Sequence, residues 1–383
     1  MKVLVPRERE PGETRVALVP DTLAKLQRLG AEVWVEAGAG QAAHYEDSAY
    51  QAAGASLSPD GDSLWASAGL VVKVSPPRPD EVARLTPGTV LISFLDPLGN
   101  PTLIHRLAEA GVTSFALEMV PRSSRAQAMD ALSSQASLAG YKAVLLGASY
   151  LPRFFPMLTT AAGTIPPAKV LVLGAGVAGL QAIATARRLG AVVEAFDIRP
   201  QVKEEVQSLG AKFLEIPLEE ETEGGGGYAK EVSSDSQERT RQFLTDSVHK
   251  ADVVITTAQV PGRPAPLLVS EDMVAGMKPG SVVVDLAAAG GGNCACTDAG
   301  ATVQAHGVTI LGPLNLPATL PVHASQMLSR NLLALLTLLL KEGQVNLDFS
   351  DDIIATTCLT HAGEIRNARV RDLVSQIHAL ERS

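Results

Sequence analysis

Cysteine, aromatic side chains, basic charge and long apolar runs are all scarce in this sequence. Its three cysteines, Cys294, Cys296 and Cys358, are too few to staple 383 residues, and Cys294-Ala-Cys296 alone offers too few ligands for a zinc site. Such usage fits a reducing cytosol. Lys and Arg number 32 against 41 Asp and Glu, a net charge of −9. No basic surplus exists to neutralise a phosphate backbone, which argues against general nucleic-acid binding. The longest strongly apolar run, 331–340, reaches about 15 Å as a helix, half of a bilayer core that needs about 20 residues. The opening MKVLVPRERE reads as a strand followed by charge and lacks the apolar region of a secretory signal. A soluble chain is expected, with any membrane supplied by another protein.

What the sequence does have is apolar mass: 46% hydrophobic against 19% charged residues, enough to bury sizeable cores. At roughly 150 residues per domain the length suggests two domains. Short β-branched runs alternate with helical periods. Lys2–Val5, Glu32–Glu36 and 70–74 read as strands. Asp21 is a plausible N-cap for a helix carrying Leu23, Leu26 and Leu29 and ended by Gly30. The rhythm restarts at Lys169, with strands expected over Lys169–Leu173, Val192–Phe196, 212–216, 252–257, 281–286 and Val308–Leu311, and helices over 177–189 and 201–209. Long helical patterns over Ala131–Tyr150 and 324–340 flank this block. The expected class is therefore α/β, with two Rossmann-like doubly wound parallel-sheet domains. One, 141–324, is inserted into the other, 1–140 plus 325–383.

Three segments carry chemistry. Gly174-Ala-Gly176-Val-Ala-Gly179 follows a strand and opens a helix. Gly174 permits the tight turn, Gly176 lets backbone approach a pyrophosphate, and Gly179 lets helix and strand pack closely. Asp197 ends the next strand, where a carboxylate accepts the ribose hydroxyls and repels a 2′-phosphate, which favours NAD(H) over NADP(H); Arg199 lies two residues beyond it. The second segment, 121–135, is dense in polar groups and leads into the long helix. It reads either as a capping loop, with Asp130 as N-cap and Ser133 and Ser134 in the first turn, or as a cofactor contact. The third, 219–231, carries four consecutive glycines followed by Tyr228, a mobile loop that is either a surface excursion or a lid.

Several stretches resemble the NAD(H)-binding component of proton-translocating nicotinamide nucleotide transhydrogenase, which shares its architecture with alanine dehydrogenase. They are PRSSRAQAMDALSSQASLAGYKAV (121–144), 159–213, GGYAKE (226–231), ITTAQVPGRPAP (255–266), MKPGSVVVDLAA (277–288), GGN (291–293), PREREPGETRVALVP (6–20) and VVKVSPP (71–77). The resemblance covers nearly the whole chain, and 121–135 is far more specific than the glycine fingerprint. It implies that Arg122, Gln127, Asp130 and Ser133 hold the nicotinamide carboxamide and ribose. It further implies cofactor contacts from Gly174, Gly176, Val177, Ala178, Gly179, Asp197, Ile198, Arg199, Gly227, Thr257, Ala258 and Gln259, and closure of Tyr228 over bound nucleotide.

The two branches of that family differ where a proton must move. Amine oxidation needs a base as hydride leaves, and alanine dehydrogenase supplies His and Asp besides a substrate-binding Arg and Lys. Arg15 and Lys73 match the latter pair, but Leu95 stands in the His position and the Asp falls near Ala288 or Ala289. The histidines present, 44, 105, 249, 306, 323, 361 and 378, match no catalytic position. Hydride exchange between two nicotinamides needs no acid or base, only ring contact without water. The resemblance therefore implies NAD(H) bound here and NADP(H) on a partner subunit, with membrane subunits coupling the exchange to protons. It also implies a homodimer, cytoplasmic and peripheral at the inner face of the plasma membrane through those partners, with no metal. The alternatives are a stand-alone alanine-dehydrogenase-like enzyme, with Arg15 and Lys73 as substrate ligands rather than partners in internal salt bridges, or a non-catalytic NAD-binding module.

Overall fold

Strands buried on both faces read as near-continuous apolar runs, and such runs build both sheets of the computed structural model, which describes residues 1–59, 61–215 and 234–381. The chain divides into Met1–Gln135 with Ala318–Ser383, and Ala136–Pro317.

In the first unit eight strands lie in the order Glu364–Ile365, Cys358–His361, Thr113–Ala116, Val90–Ser93, Leu70–Val72, Lys2–Val5, Glu32–Glu36 and Ser56–Ser58. The pairs from Thr113–Ala116 to Ser56–Ser58 are parallel, while Cys358–His361 and Glu364–Ile365 add an antiparallel edge. Alternation along each strand feeds two cores. Val3, Val5, Val33, Val35 and Ile92 join the Pro321–Leu339 helix through Leu328, Leu332, Leu335 and Leu336. Leu4, Val71 and Leu91 join Leu103, Ile104 and Leu107 and the C-terminal Val370 and Val374. The segment after Ala318 thus covers one face, extends the sheet edge and helps to cover the other face.

The second unit orders its strands Lys212–Phe213, Val192–Phe196, Lys169–Leu173, Val253–Thr256, Val282–Asp285, Val308–Leu311 and Thr302–Ala305, the last antiparallel. Val170, Val172, Val253 and Ile255 face one core, while Leu171, Leu173, Val254 and Val283 face the other. Strand order reverses between Lys169–Leu173 and Val253–Thr256, the switch point at which doubly wound sheets bind ligands. The α/β class with two doubly wound, mostly parallel sheets stands.

Local expectations change in places. Val19, not Asp21, is the N-cap of Pro20–Arg28; Pro20 at the first helical position pre-sets φ, and Asp21 falls in the first turn. The stretch 201–209 splits into a 3-10 turn, Pro200–Val202, and a helix, Lys203–Ser208. The strand expected over 70–74 ends at Val72, and the one over 212–216 ends at Phe213. Ser56–Ser58, Val90–Ser93, Thr113–Ala116 and Thr302–Ala305 are strands that the sequence pattern does not announce.

Candidate functional site

The glycine turn is built as its spacing demands. Gly174 adopts φ +99°, where a side chain is strained, and a Cβ on it would overlap the Thr257 hydroxyl. A Cβ on Gly179 would overlap the Gly174 carbonyl oxygen. Gly176 is different: a Cβ there would meet only the Arg199 guanidinium, at 4.0 Å. Two glycines are thus required by the protein's own packing, and the third leaves open space in front of a helix start. Val177–Arg188 begins there with Gly176 as N-cap and no side-chain cap among the described residues, so the N–H groups of Val177, Ala178 and Gly179 have no partner within the helix. Backbone donors around an open pocket of one methyl's width suit a pyrophosphate, and the residues present fit a dinucleotide.

Asp197 stands beside this turn, 7% exposed in its side chain. Its Oδ2 accepts from the Ala175 N–H (2.8 Å), and its Oδ1 from the Arg199 N–H (2.9 Å). The Arg199 side chain forks onto the same carboxylate, Nε to Oδ1 and Nη2 to Oδ2, both at 3.0 Å. Ile198, between them, packs against the core.

Across the switch point, the Thr257 N–H donates to the Leu173 carbonyl (2.9 Å) and its hydroxyl to that of Gly174 (3.1 Å). Ala258 is held by Asn293, fully buried, whose side-chain amide accepts from the Ala258 N–H (3.0 Å) and donates to its carbonyl (2.9 Å) and to that of Pro266 (2.8 Å). Asn293 is held in turn by Asp285, also fully buried, which accepts five hydrogen bonds, from Thr256, Ala287, Asn293, Cys294 and Thr297. Gln259 donates to the Leu286 carbonyl (2.9 Å). Sequence reading missed the roles of Asp285 and Asn293, although both lie in stretches that carry the resemblance. Burial pushes the Cys294 thiol up to about 11, so it is no nucleophile at neutral pH.

In the first unit the 121–130 segment is pinned rather than loose. Ala126 and Met129 are buried in the core while Arg122 and Gln127 are exposed. Asn331 donates to the Ala128 carbonyl (2.9 Å) and accepts from Ser134 (2.8 Å), and Arg125 forks onto Asp351 and Asp352 at the start of Asp352–Thr357. Asp130 caps the Ala131–Tyr150 helix: its Oδ1 accepts the Ser133 N–H (2.8 Å) and its Oδ2 the Ser133 hydroxyl (2.6 Å). The capping role is thus present, with half-buried Asp130 donating its N–H to the carbonyl of exposed Gln127. Gly227 and Tyr228, with the rest of the 219–231 loop, lie outside the described residues.

Arg15 and Lys73 are occupied. Arg15 donates Nε and Nη2 to the two Glu13 oxygens (2.8 and 2.6 Å) and Nη1 to Gln135 (2.9 Å). Lys73, 1% exposed, lies between Glu8 (3.1 Å) and Glu81 (3.3 Å). Burial holds the Glu8 carboxyl above the usual carboxylate range, against the pull of Lys73. Leu95 is fully buried; its N–H and that of Asp96 both donate to Glu118 Oε1 (2.7 and 2.6 Å). Burial raises that carboxyl to about 6, and its Oε2 has no hydrogen-bond partner among the described residues. Ala288 is buried and Ala289 exposed. No group of His, Cys, Asp and Glu among the described residues could hold a metal.

Comparison with known proteins agrees along the whole chain. The family models described as "Alanine dehydrogenase/PNT, N-terminal domain" and "C-terminal domain" match residues 4–139 and 143–368. The chain is 46% identical to the first of the parts that make up NAD(P) transhydrogenase subunit alpha in Rhodospirillum rubrum, over 95% of its own length and 97% of that relative's. It is 33% identical to alanine dehydrogenase of Mycobacterium tuberculosis, over 97% of this chain and 96% of the other. Among solved structures, transhydrogenase from Sinorhizobium meliloti superposes with a TM-score of 0.83 at 43% identity, covering 95% and 98% of the two chains. With both family models matched in order and these two kinds of relative aligned end to end, the chain belongs to the alanine dehydrogenase/PNT family.

Proposed function

We propose that this chain is the NAD(H)-binding subunit of a proton-translocating NAD(P)+ transhydrogenase, exchanging hydride directly between its own NAD(H) and NADP(H) held by a partner subunit. The observation that carries this reading is Leu95: a fully buried apolar side chain where the resemblance expects the acid–base histidine of an amine dehydrogenase. Arg15 and Lys73, the other substrate ligands of such an enzyme, are neutralised by Glu13, Glu8 and Glu81. The relatives' names supply the transhydrogenase branch.

When bound, the nicotinamide supplies or takes the hydride; the protein has to bind, orient and dry it. In this reading 136–317 is the cofactor domain. Gly174, Gly176, Val177, Ala178 and Gly179 hold the pyrophosphate, Asp197 and Ile198 the adenosine ribose, and Thr257, Ala258 and Gln259 the other wall. Arg122, Gln127, Asp130 and Ser133 would orient the nicotinamide carboxamide and ribose, with Gly227 and Tyr228 as further nucleotide contacts. Direct exchange between two nicotinamides would release no proton at the reacting carbons, so the apolar Leu95 and Ala288 would cost nothing in chemistry. No helix among the described residues is long and apolar enough to cross a membrane, and the proposal assigns the membrane to partner subunits, with this chain peripheral on the cytoplasmic side. A homodimer is supported by the Leu158–Thr160 and Gly163–Ile165 hairpin, both strands exposed, with Phe154, Met157, Leu158 and Ile165 between 36% and 63% exposed. An isolated two-stranded hairpin is marginal in water without something to cover it.

The test is absorbance at the NADH wavelength with the purified chain, NAD+ and a panel of small amino acids, followed by addition of an NADP(H)-binding transhydrogenase subunit with NADPH and the acetylpyridine analogue of NAD+, whose reduced form absorbs apart from NADPH. Silence in the first step and exchange in the second is the expected result. Amine-dependent NAD+ reduction would overturn it in favour of the amino-acid dehydrogenase, and NADH binding without exchange in favour of a non-catalytic module.

A further inference from the structure

Asp197 has no acceptor position left for a ribose. A carboxylate offers about four lone-pair directions, and Asp197 fills them with the Ala175 N–H, the Arg199 N–H and two guanidinium N–H groups of Arg199. The same guanidinium reaches over the glycine turn, with Nη2 4.0 Å from the place where a Gly176 side chain would begin. Arg199 therefore covers the carboxylate and overhangs the open space beside it. Charge-assisted two-point pairs of this kind are among the stronger hydrogen bonds, and the Arg199 side chain is only 18% exposed.

We propose that Arg199 is a built-in competitor of the cofactor's adenosine ribose: its guanidinium holds Asp197 in the free chain and swings out when the ribose diol takes its place. The inference rests on the assignment of 136–317 as the NAD(H)-binding domain. It makes the free protein a mixture of closed and open forms, and the apparent affinity is lowered by the open fraction. The backbone part of the arrangement is independent of that motion. The Ala175 and Arg199 N–H groups keep Asp197 aimed when the guanidinium leaves, so truncating Arg199 removes the competitor without releasing the carboxylate.

The experiment is calorimetric titration of wild-type chain, Arg199→Ala and Arg199→Lys with NADH, AMP and 2′,3′-dideoxy-AMP, with thermal melting to verify folding. Arg199→Ala is expected to bind NADH and AMP about tenfold more tightly, tenfold being 1.4 kcal/mol, and to bind dideoxy-AMP as the wild type does. Arg199→Lys, which keeps the charge but cannot fork, falls between and stands in if the alanine variant does not fold. Unchanged or weaker AMP binding by Arg199→Ala, with NADH still bound by wild type, overturns the competitor alone. Equal tightening for dideoxy-AMP also overturns it, since the ribose hydroxyls are then not what Arg199 excludes. Absence of NADH binding by every folded protein overturns the cofactor assignment and the competitor together.

Discussion

Gly176→Ala separates cofactor binding from folding more cleanly than other changes in the glycine turn. Gly176 sits at φ −76° and ψ −168°, a conformation any residue adopts, and a Cβ there meets nothing nearer than Arg199 Nη2 at 4.0 Å. Folding should therefore tolerate alanine, the gain of about 0.5 kcal/mol from the less flexible unfolded chain offsetting alanine's poorer performance as N-cap. Tm should stay within about 2 °C of the wild type for a unit of this size. The added methyl nevertheless fills the space in which a pyrophosphate would reach the Val177 and Ala178 N–H groups. Losing two hydrogen bonds to a charged group, each worth about 1.5–3 kcal/mol, weakens NADH at least a hundredfold. Gly179→Ala is the control, because its Cβ would overlap the Gly174 carbonyl; overpacking of that kind costs about 1–3 kcal/mol, and it should lower Tm. Scanning calorimetry and NADH titration of both variants check the reasoning. A Gly176→Ala protein that binds NADH like the wild type would refute the placement of the pyrophosphate. One that melts as early as Gly179→Ala would refute the open space.

The remaining predictions concern the polar segment and the buried charges. Asp130→Asn keeps an oxygen to cap the Ala131–Tyr150 helix, and Arg122→Ala removes an exposed side chain. Both should slow hydride exchange in the assembled complex far more than they weaken NADH, as equilibrium titration and stopped-flow absorbance with the acetylpyridine analogue of NAD+ as hydride acceptor would show. Glu118, with its carboxyl at about 6 in the fold against 4.5 in the free side chain, binds its proton more tightly when folded. Its contribution is thus present below about pH 4.5 and is lost as pH rises through 6, by about 2 kcal/mol. Denaturant titrations of wild type and Glu118→Gln across pH 4.5–7 should converge at the acid end and diverge above it, the variant being the more stable. Lys73→Met leaves Glu8 and Glu81 buried without their cation, which should cost about 3–5 kcal/mol. Adding Glu8→Gln should recover some of the loss in a double-mutant cycle.

How far the sequence reaches depends on where each element's physics lies. Lys2–Val5, Lys169–Leu173 and Val308–Leu311 are legible to the residue as short, mostly apolar β-branched runs, and Glu32–Glu36 and Val192–Phe196, despite their glutamates, because each follows a glycine that ends a helix. The glycine fingerprint is legible for a different reason: two of its three glycines are demanded by close packing in the turn or beside it. Thr113–Ala116 is hidden because its polar residues look like a loop until Ser114 meets Thr360, 246 residues away. Thr302–Ala305, half-exposed at the sheet edge, has no apolar run to announce it.

Sequence alone pointed to the α/β class, the glycine turn with Asp197 after it, a cap at Asp130 as one of two readings, and an apolar Leu95 where the resemblance expects a histidine. Each of these depends on neighbours a few residues apart or on the mere identity of a side chain. Only the tertiary structure decided what the charged groups do. Arg15 is spent on Glu13 and Gln135, Lys73 on Glu8 and Glu81, and Arg125 on Asp351. Asn293 clasps the Ala258 peptide from 35 residues away, and Arg199 folds back onto Asp197. A cation or an amide is committed to a partner only when topology brings one within about 3 Å, and spacing along the chain carries no record of that distance.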